Sequence, residues 1–140
     1  MSFTIFFNTQ SSQGTLRKLF MDIKKEIRRD TYAVKITAEE DGHIVGWAYL
    51  YIIVNDRHVE PYGLLENVYV VPEYRGKGIG RSLLDTAIAE AQERSCYKLI
   101  AQSRHGKESV HALYEKLGFR NHGLNFRMDL ILGSAVRQVD

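Results

Sequence analysis

Cysteine is almost missing from this chain. Cys96 is the only one in 140 residues, which excludes an internal disulfide and a zinc site built on cysteines. Proline is nearly as scarce, with two residues, and no proline- or glycine-rich linker divides the chain. No apolar run approaches the ~18 residues of a membrane span. The start, Met-Ser-Phe-Thr-Ile-Phe-Phe-Asn, lacks the basic segment and long apolar stretch of a secretory leader. Charge of one sign is also lacking: 19 basic against 17 acidic residues leave a net +2, too little to argue for nucleic acid. The five histidines, His43, His58, His105, His111 and His122, show no metal-ligand spacing. Repeats and low-complexity segments are absent. These absences lead us to expect one cytoplasmic domain over residues 1–140, with a loose tail from 133, and no membrane, nucleic-acid or metal partner.

What is present reads as a mixed α/β chain. Hydrophobic content of 44% is ordinary for a domain with a real core. Phe3 to Asn8 is a strand candidate. Leu16, Leu19, Phe20, Ile23 and Ile27 recur at helical spacing and predict an amphipathic helix. Alternation over Tyr32 to Thr37 predicts a half-exposed strand, and Asp41-Gly42 a hairpin turn. Ile44 to Val54 is apolar on both faces and predicts a central strand. A polar connection leads to a strand over Leu64 to Val71. Leu83, Leu84, Ala87, Ile88 and Ala91 mark the inner stripe of a helix. A strand over Tyr97 to Ser103, a helix through Tyr114 and a last strand over Phe126 to Leu132 complete the order.

Between the Leu64 strand and the next helix lies Val70-Val71-Pro72-Glu73-Tyr74-Arg75-Gly76-Lys77-Gly78-Ile79-Gly80-Arg81. Glycines let backbone approach an anion, and the first amides of a helix are unsatisfied donors at the positive end of its dipole. Arg75, Lys77 and Arg81 add positive charge. The segment predicts a phosphate or pyrophosphate site. It is not a nucleoside-triphosphate loop, because Gly78 stands where Ser or Thr must follow Lys77. It is not a dinucleotide fingerprint either, because Gly76, Gly78 and Gly80 are spaced Gly-x-Gly-x-Gly.

The Arg75-to-Gly80 run after Val-Tyr-Val-Val-Pro-Glu-Tyr resembles the acyl-CoA motif of the GNAT superfamily of N-acyltransferases. Leu113-Tyr114-Glu115-Lys116-Leu117-Gly118-Phe119 resembles the second signature of that family, in the right order and at a plausible separation. The resemblance covers Leu64 to Leu130. It implies the GNAT fold, α/β (α+β), with a mixed central sheet of about six to seven strands flanked by about three to four helices. It implies transfer of an acetyl group from acetyl-CoA, without a metal, to a primary amine on a small molecule, peptide or protein, by direct attack in a ternary complex. Homodimers are common in the family. The other reading is a non-catalytic acyl-CoA-binding or sensing module.

The resemblance also assigns residues. The backbone of Val68, Tyr69, Val70 and Val71 is expected against pantetheine, and Arg75, Gly76, Lys77, Gly78, Ile79, Gly80 and Arg81 against the pyrophosphate. Glu66 is the candidate base, on a strand face that alternation shares with Leu64, Val68 and Val70. Tyr114 is the candidate acid for the departing sulfur. The family often carries an Asn near the start of the second helix. Here that neighbourhood is Gly106-Lys107-Glu108-Ser109, and Lys107, Arg104 and Ser109 are the candidate substitutes. Only about twenty residues separate Asn8 from Thr31, where the family usually has two helices beside the acceptor, so the acceptor is left open.

Overall fold

The computed structural model describes residues 3–10, 16–131 and 133. They fall into two compact units, Met1–Thr31 and Tyr32–Asp140.

The first unit holds an antiparallel pair, β1 (Phe3–Gln10) and β2 (Leu16–Ile23). The helix expected over Leu16 to Ile27 is not formed. The register sets Phe3 opposite Ile23, Ile5 opposite Met21 and Phe7 opposite Leu19. Pairing with the neighbouring strand gives the segment a continuous backbone ladder, which overrides a helical spacing of moderate strength. Ile27, the last residue of the expected stripe, is 81% exposed.

The second unit is a four-stranded sheet in the order β3-β4-β5-β6, made of β3 (Tyr32–Glu40), β4 (His43–Ile53), β5 (Tyr62–Val70) and β6 (Leu99–Ala101). The first three form an antiparallel meander, and β6 runs parallel to β5. At the β3–β4 turn both Asp41 and Gly42 have positive φ, 50° and 78°, the condition of the tightest hairpin turns. Helix α1 (Ile79–Glu93) crosses between β5 and β6, and α2 (Glu108–Lys116) follows β6. The mixed α+β class stands.

The core lies under α1. Leu83, Leu84, Ala87 and Ala91 are buried, facing Ala48, Leu50, Ile52 and Leu65 of the sheet. Val34 and Ile36 of β3 add to it from the half-exposed strand. Gly63 is required for close packing: a Cβ there would stand 2.7 Å from Leu99 and 3.1 Å from Leu50. Cys96 is half-buried beside Leu50 and Ile52, and burial pushes its thiol pKa up, so it is held as an unreactive apolar residue.

Two expectations at the C-terminal side change. The strand expected from Tyr97 is confined to Leu99–Ala101, because its ladder with β5 spans only Gly63 to Leu65. The last strand, expected over Phe126 to Leu132, is not formed over 126–131, and Leu132 lies outside the described residues. Phe126 is 92% exposed and Leu130 86%. The alternating pattern is present, but no ladder partner stands beside it among the described residues.

Leu50 is fully buried between the sheet and α1. Leu50→Ala removes those contacts and leaves a cavity, so it should lower the unfolding free energy by about 2–5 kcal/mol, measured by urea denaturation.

Candidate active site

The site is built where β5 loses one of its neighbours. Its parallel ladder with β6 ends at Leu65 opposite Ala101, and from Glu66 onward the two strands part. On the other side, the β4–β5 register shifts: Tyr49 faces Glu66 and Trp47 faces Tyr69, so Ala48 stands opposite both Asn67 and Val68. This is a β-bulge. Its extra residue, Asn67, has φ 50°, a conformation asparagine tolerates better than most residues.

The bulge corrects one expectation. Leu65 is buried under α1, and Val68 and Val70 pack against that same cluster. Glu66 therefore shares a face with Leu64 but not with Val68 or Val70. Tyr69 falls on the outer face, where it stacks on Trp47 at 4.7 Å. A mid-strand Asn is the one sequence signal that could have revealed the bulge.

A second correction concerns Val71. Its N–H donates to the Val45 carbonyl at 2.9 Å, and its carbonyl accepts from Tyr74 N–H at 2.9 Å. The Val71 N–H, the donor expected to meet pantetheine, is thus taken within the fold. Backbone groups alternate sides along a strand, so the N–H of Val70 and that of Val68 point into the gap left by β6. The Val70 carbonyl accepts from Arg75 Nε at 2.9 Å, which fixes the arginine across the mouth of the gap.

The chain then makes a 3-10 turn over Pro72–Tyr74 and enters the glycine turn. Gly76 and Gly78 have φ 78° and 85°, and a Cβ at either would meet nothing within 4 Å. Both therefore serve conformation and leave open space on the outside. Gly78 is the N-cap of α1, with no side chain capping the helix. No carbonyl among the described residues takes the amides of Gly76 to Arg81. A run of free amides at the positive end of a fifteen-residue helix suits pyrophosphate. The side chains contribute less than expected. Arg81 is held by Asp85 at 3.0 Å, Lys77 lies over the Tyr74 ring at 4.8 Å, and neither side lines the cleft.

The cleft, about 1030 Å³, runs from this turn along β5 to Glu66 and Tyr114. Lys107, the N-cap residue of α2, lines it with Ser109 in place of the missing Asn. Arg104, another of the candidate substitutes, and Ser103, which the sequence did not single out, close its side. His111 Nε2 lies 3.1 Å from both Ser103 Oγ and the Arg104 carbonyl, tying that loop to α2. A carbonyl only accepts, so Nε2 carries the proton in that bond.

The second signature has a physical explanation. Gly118, at φ 95°, donates to the Glu115 carbonyl, and Phe119 N–H donates to the Tyr114 carbonyl, both at 3.0 Å. This pair of bonds is the Schellman ending of α2. It also sets the Phe119 ring 5.3 Å from the Tyr114 ring and so steadies the phenol. Tyr114 is half-buried against the α1 core. Burial first, and the nearby Glu66 carboxylate second, push its phenol pKa up. The hydroxyl therefore keeps its proton at neutral pH. Glu66 and Tyr114, forty-eight positions apart, are brought to one cleft.

Residues 4–119 match the acetyltransferase (GNAT) family. Among curated relatives, the chain is 40% identical over 90 residues to glucosamine 6-phosphate N-acetyltransferase of Trypanosoma brucei brucei, covering 64% of this chain and 59% of that one. It is 34% identical over 103 residues to aminoglycoside N(6')-acetyltransferase type 1 of Stenotrophomonas maltophilia, covering 70% and 67%. The crystal structure of a Trypanosoma brucei acetyltransferase superposes with a TM-score of 0.63 at 37% identity, over 70% of this chain and 69% of that one. The chain spans about three fifths to two thirds of the length of these curated relatives. With the glycine turn, the parted strands and the Tyr114 helix in family order, the chain belongs to the GNAT acetyltransferase family.

Proposed function

We propose that this chain moves an acetyl group from acetyl-CoA to a primary amine by direct attack in a ternary complex. The observation that carries the reading is one cleft that joins a run of free amides to a carboxylate and a protonated phenol. The amides of Gly76 to Arg81 take the pyrophosphate. The Val68 and Val70 amides, left without a strand partner, hydrogen-bond the pantetheine arm as an added strand would. One of them also faces the thioester carbonyl as it gains negative charge.

An amine with a pKa near that of lysine, ~10.4, is almost wholly protonated at pH 7. Glu66 accepts its proton, directly or through a water. The free amine attacks the carbonyl carbon, the carbon–sulfur bond breaks, Tyr114 Oη–H protonates the leaving sulfur, and the phenolate regains a proton as the new amide nitrogen loses its second one. A binding module needs the amides but not both titratable groups, which favours the enzyme. Release of CoA thiol from acetyl-CoA across a panel of amines tests the reading; acetyl-CoA binding with no thiol release for any amine would instead leave a sensing module.

Gly78→Glu should abolish acetyl-CoA binding by calorimetry, because it sets a carboxylate beside the free amides. Gly78→Ala carries the same backbone strain, about 1–2 kcal/mol, without the charge, and should keep measurable affinity.

Glu66→Gln should lower turnover most at low pH and much less at high pH, where solvent deprotonates the amine. A pH-rate profile equal to that of the unsubstituted protein would assign Glu66 to structure.

Tyr114→Phe should leave the acetyl-CoA Kd nearly unchanged and lower kcat by about a hundredfold. The ring is retained, so stability should barely move. An acyl donor with a better leaving thiol should recover part of the rate, since it needs less protonation.

A further inference from the structure

A second groove, about 1670 Å³, opens on the other side of Tyr114, between β6, α2 and the chain beyond Gly118. Five residues line both it and the acetyl-CoA cleft: Glu66, Gln102, Ser103, Arg104 and Tyr114. An acetyl group passed from CoA on one side to an amine on the other crosses this junction. Gln102 is exposed and gives its amide to Asn125 Oδ1 at 3.4 Å, and Arg104 is exposed as well. Ser103 is half-buried.

Helix α2 fixes this serine. His111 Nε2 lies 3.1 Å from Ser103 Oγ and 3.1 Å from the Arg104 carbonyl. With its proton committed to an oxygen that can only accept, Nε2 cannot accept from the serine. Ser103 Oγ instead takes a share of the N–H, and its own hydrogen stays available. No acceptor for that hydrogen stands among the described residues. His111 and Tyr114 are three positions apart on α2 and so lie on one face of it. A donor without an acceptor therefore stands at the junction that Glu66 and Tyr114 also line.

The gap between β5 and β6 supplies the target. The parallel ladder ends at Leu65 opposite Ala101, so Ser103 comes only two residues after the strands part. It borders the narrow end of the gap, across from the free edge of β5. A thioester lying between the strands meets an N–H on one side and an O–H on the other. Its carbonyl oxygen has two lone pairs and gains negative charge as the amine attacks. We infer that Ser103 donates a hydrogen bond to the thioester carbonyl oxygen, opposite a β5 amide, and that His111 is the positioning residue that aims it. The inference rests on the acetyl-transfer reading and adds a residue to that site. Ser103 keeps its proton throughout: the nitrogen–carbon bond forms, the carbon–sulfur bond breaks, and the hydroxyl only holds the oxygen.

Infrared difference spectroscopy of bound acetyl-CoA, isotopically labelled at the thioester carbonyl, tests this with no amine present. A hydrogen bond weakens the carbonyl bond, so the band should rise in frequency in Ser103→Ala and stay in place in Ser103→Thr, which keeps the hydroxyl. The acetyl-CoA Kd should be nearly unchanged in both. In turnover with an accepted amine, kcat should fall by about a hundredfold in Ser103→Ala and be largely kept in Ser103→Thr. His111→Ala should raise the band by a smaller amount, and His111→Gln, which keeps an N–H, should raise it least. An unmoved band in Ser103→Ala, an unchanged kcat, or a loss that appears in the Kd and not in kcat would each overturn the inference. The band is read without turnover, so a failure of thiol release with every amine would count against the acetyl-transfer reading and not against the carbonyl contact.

Discussion

An unpaired strand edge in the middle of a sheet is the constraint on which this structure turns. Beyond Leu65, β5 keeps β4 on one side and loses β6 on the other. Backbone amides left this way need a partner, and a polar, extended ligand can supply the missing strand. The fold tolerates the gap because the cluster of Ala48, Leu65, Leu83, Leu84 and Ala87 holds α1 to the sheet below it. The Asn67 bulge sits at the same point. Alternation from Leu65 turns Glu66 away from that cluster, and the bulge lets Val68 and Val70 return to it.

The two ends of the cleft use the backbone differently. At the glycine turn, positive φ at Gly76 and Gly78 leaves a run of amides open at the start of α1. At the other end, Gly118 closes α2: its N–H satisfies the Glu115 carbonyl, and the Phe119 N–H that follows satisfies that of Tyr114. One glycine motif therefore exposes donors and the other removes acceptors. The second fixes the phenol within reach of the Glu66 field, and burial with that field keeps it protonated.

Motifs with local causes were legible in the sequence. The α1 stripe and the Asp41-Gly42 turn depend on neighbours within a few positions, so spacing identified them, and the two glycine signatures are contiguous enough for the family resemblance to identify them. Elements that depend on a distant partner were not. The Leu16 segment has helical spacing, yet it pairs with Phe3–Gln10. The Phe126 segment alternates like a strand, yet no ladder forms beside it among the described residues. Simple alternation misplaced Glu66 because one residue in left-handed conformation reverses every face that follows it.

By itself the sequence determined the family and the anion-suited turn, because each is written in consecutive residues, and the family resemblance pointed to Glu66 and Tyr114 for the proposed chemistry. Tertiary structure decided which backbone groups are free. Val71 is spent on Val45 and Tyr74, Arg81 on Asp85, and Arg75 is locked onto the Val70 carbonyl, whereas the Val68 and Val70 amides face the gap. The physical reason is that a backbone N–H has one hydrogen to donate, and only the assembled sheet determines whether its acceptor lies within the chain or outside it.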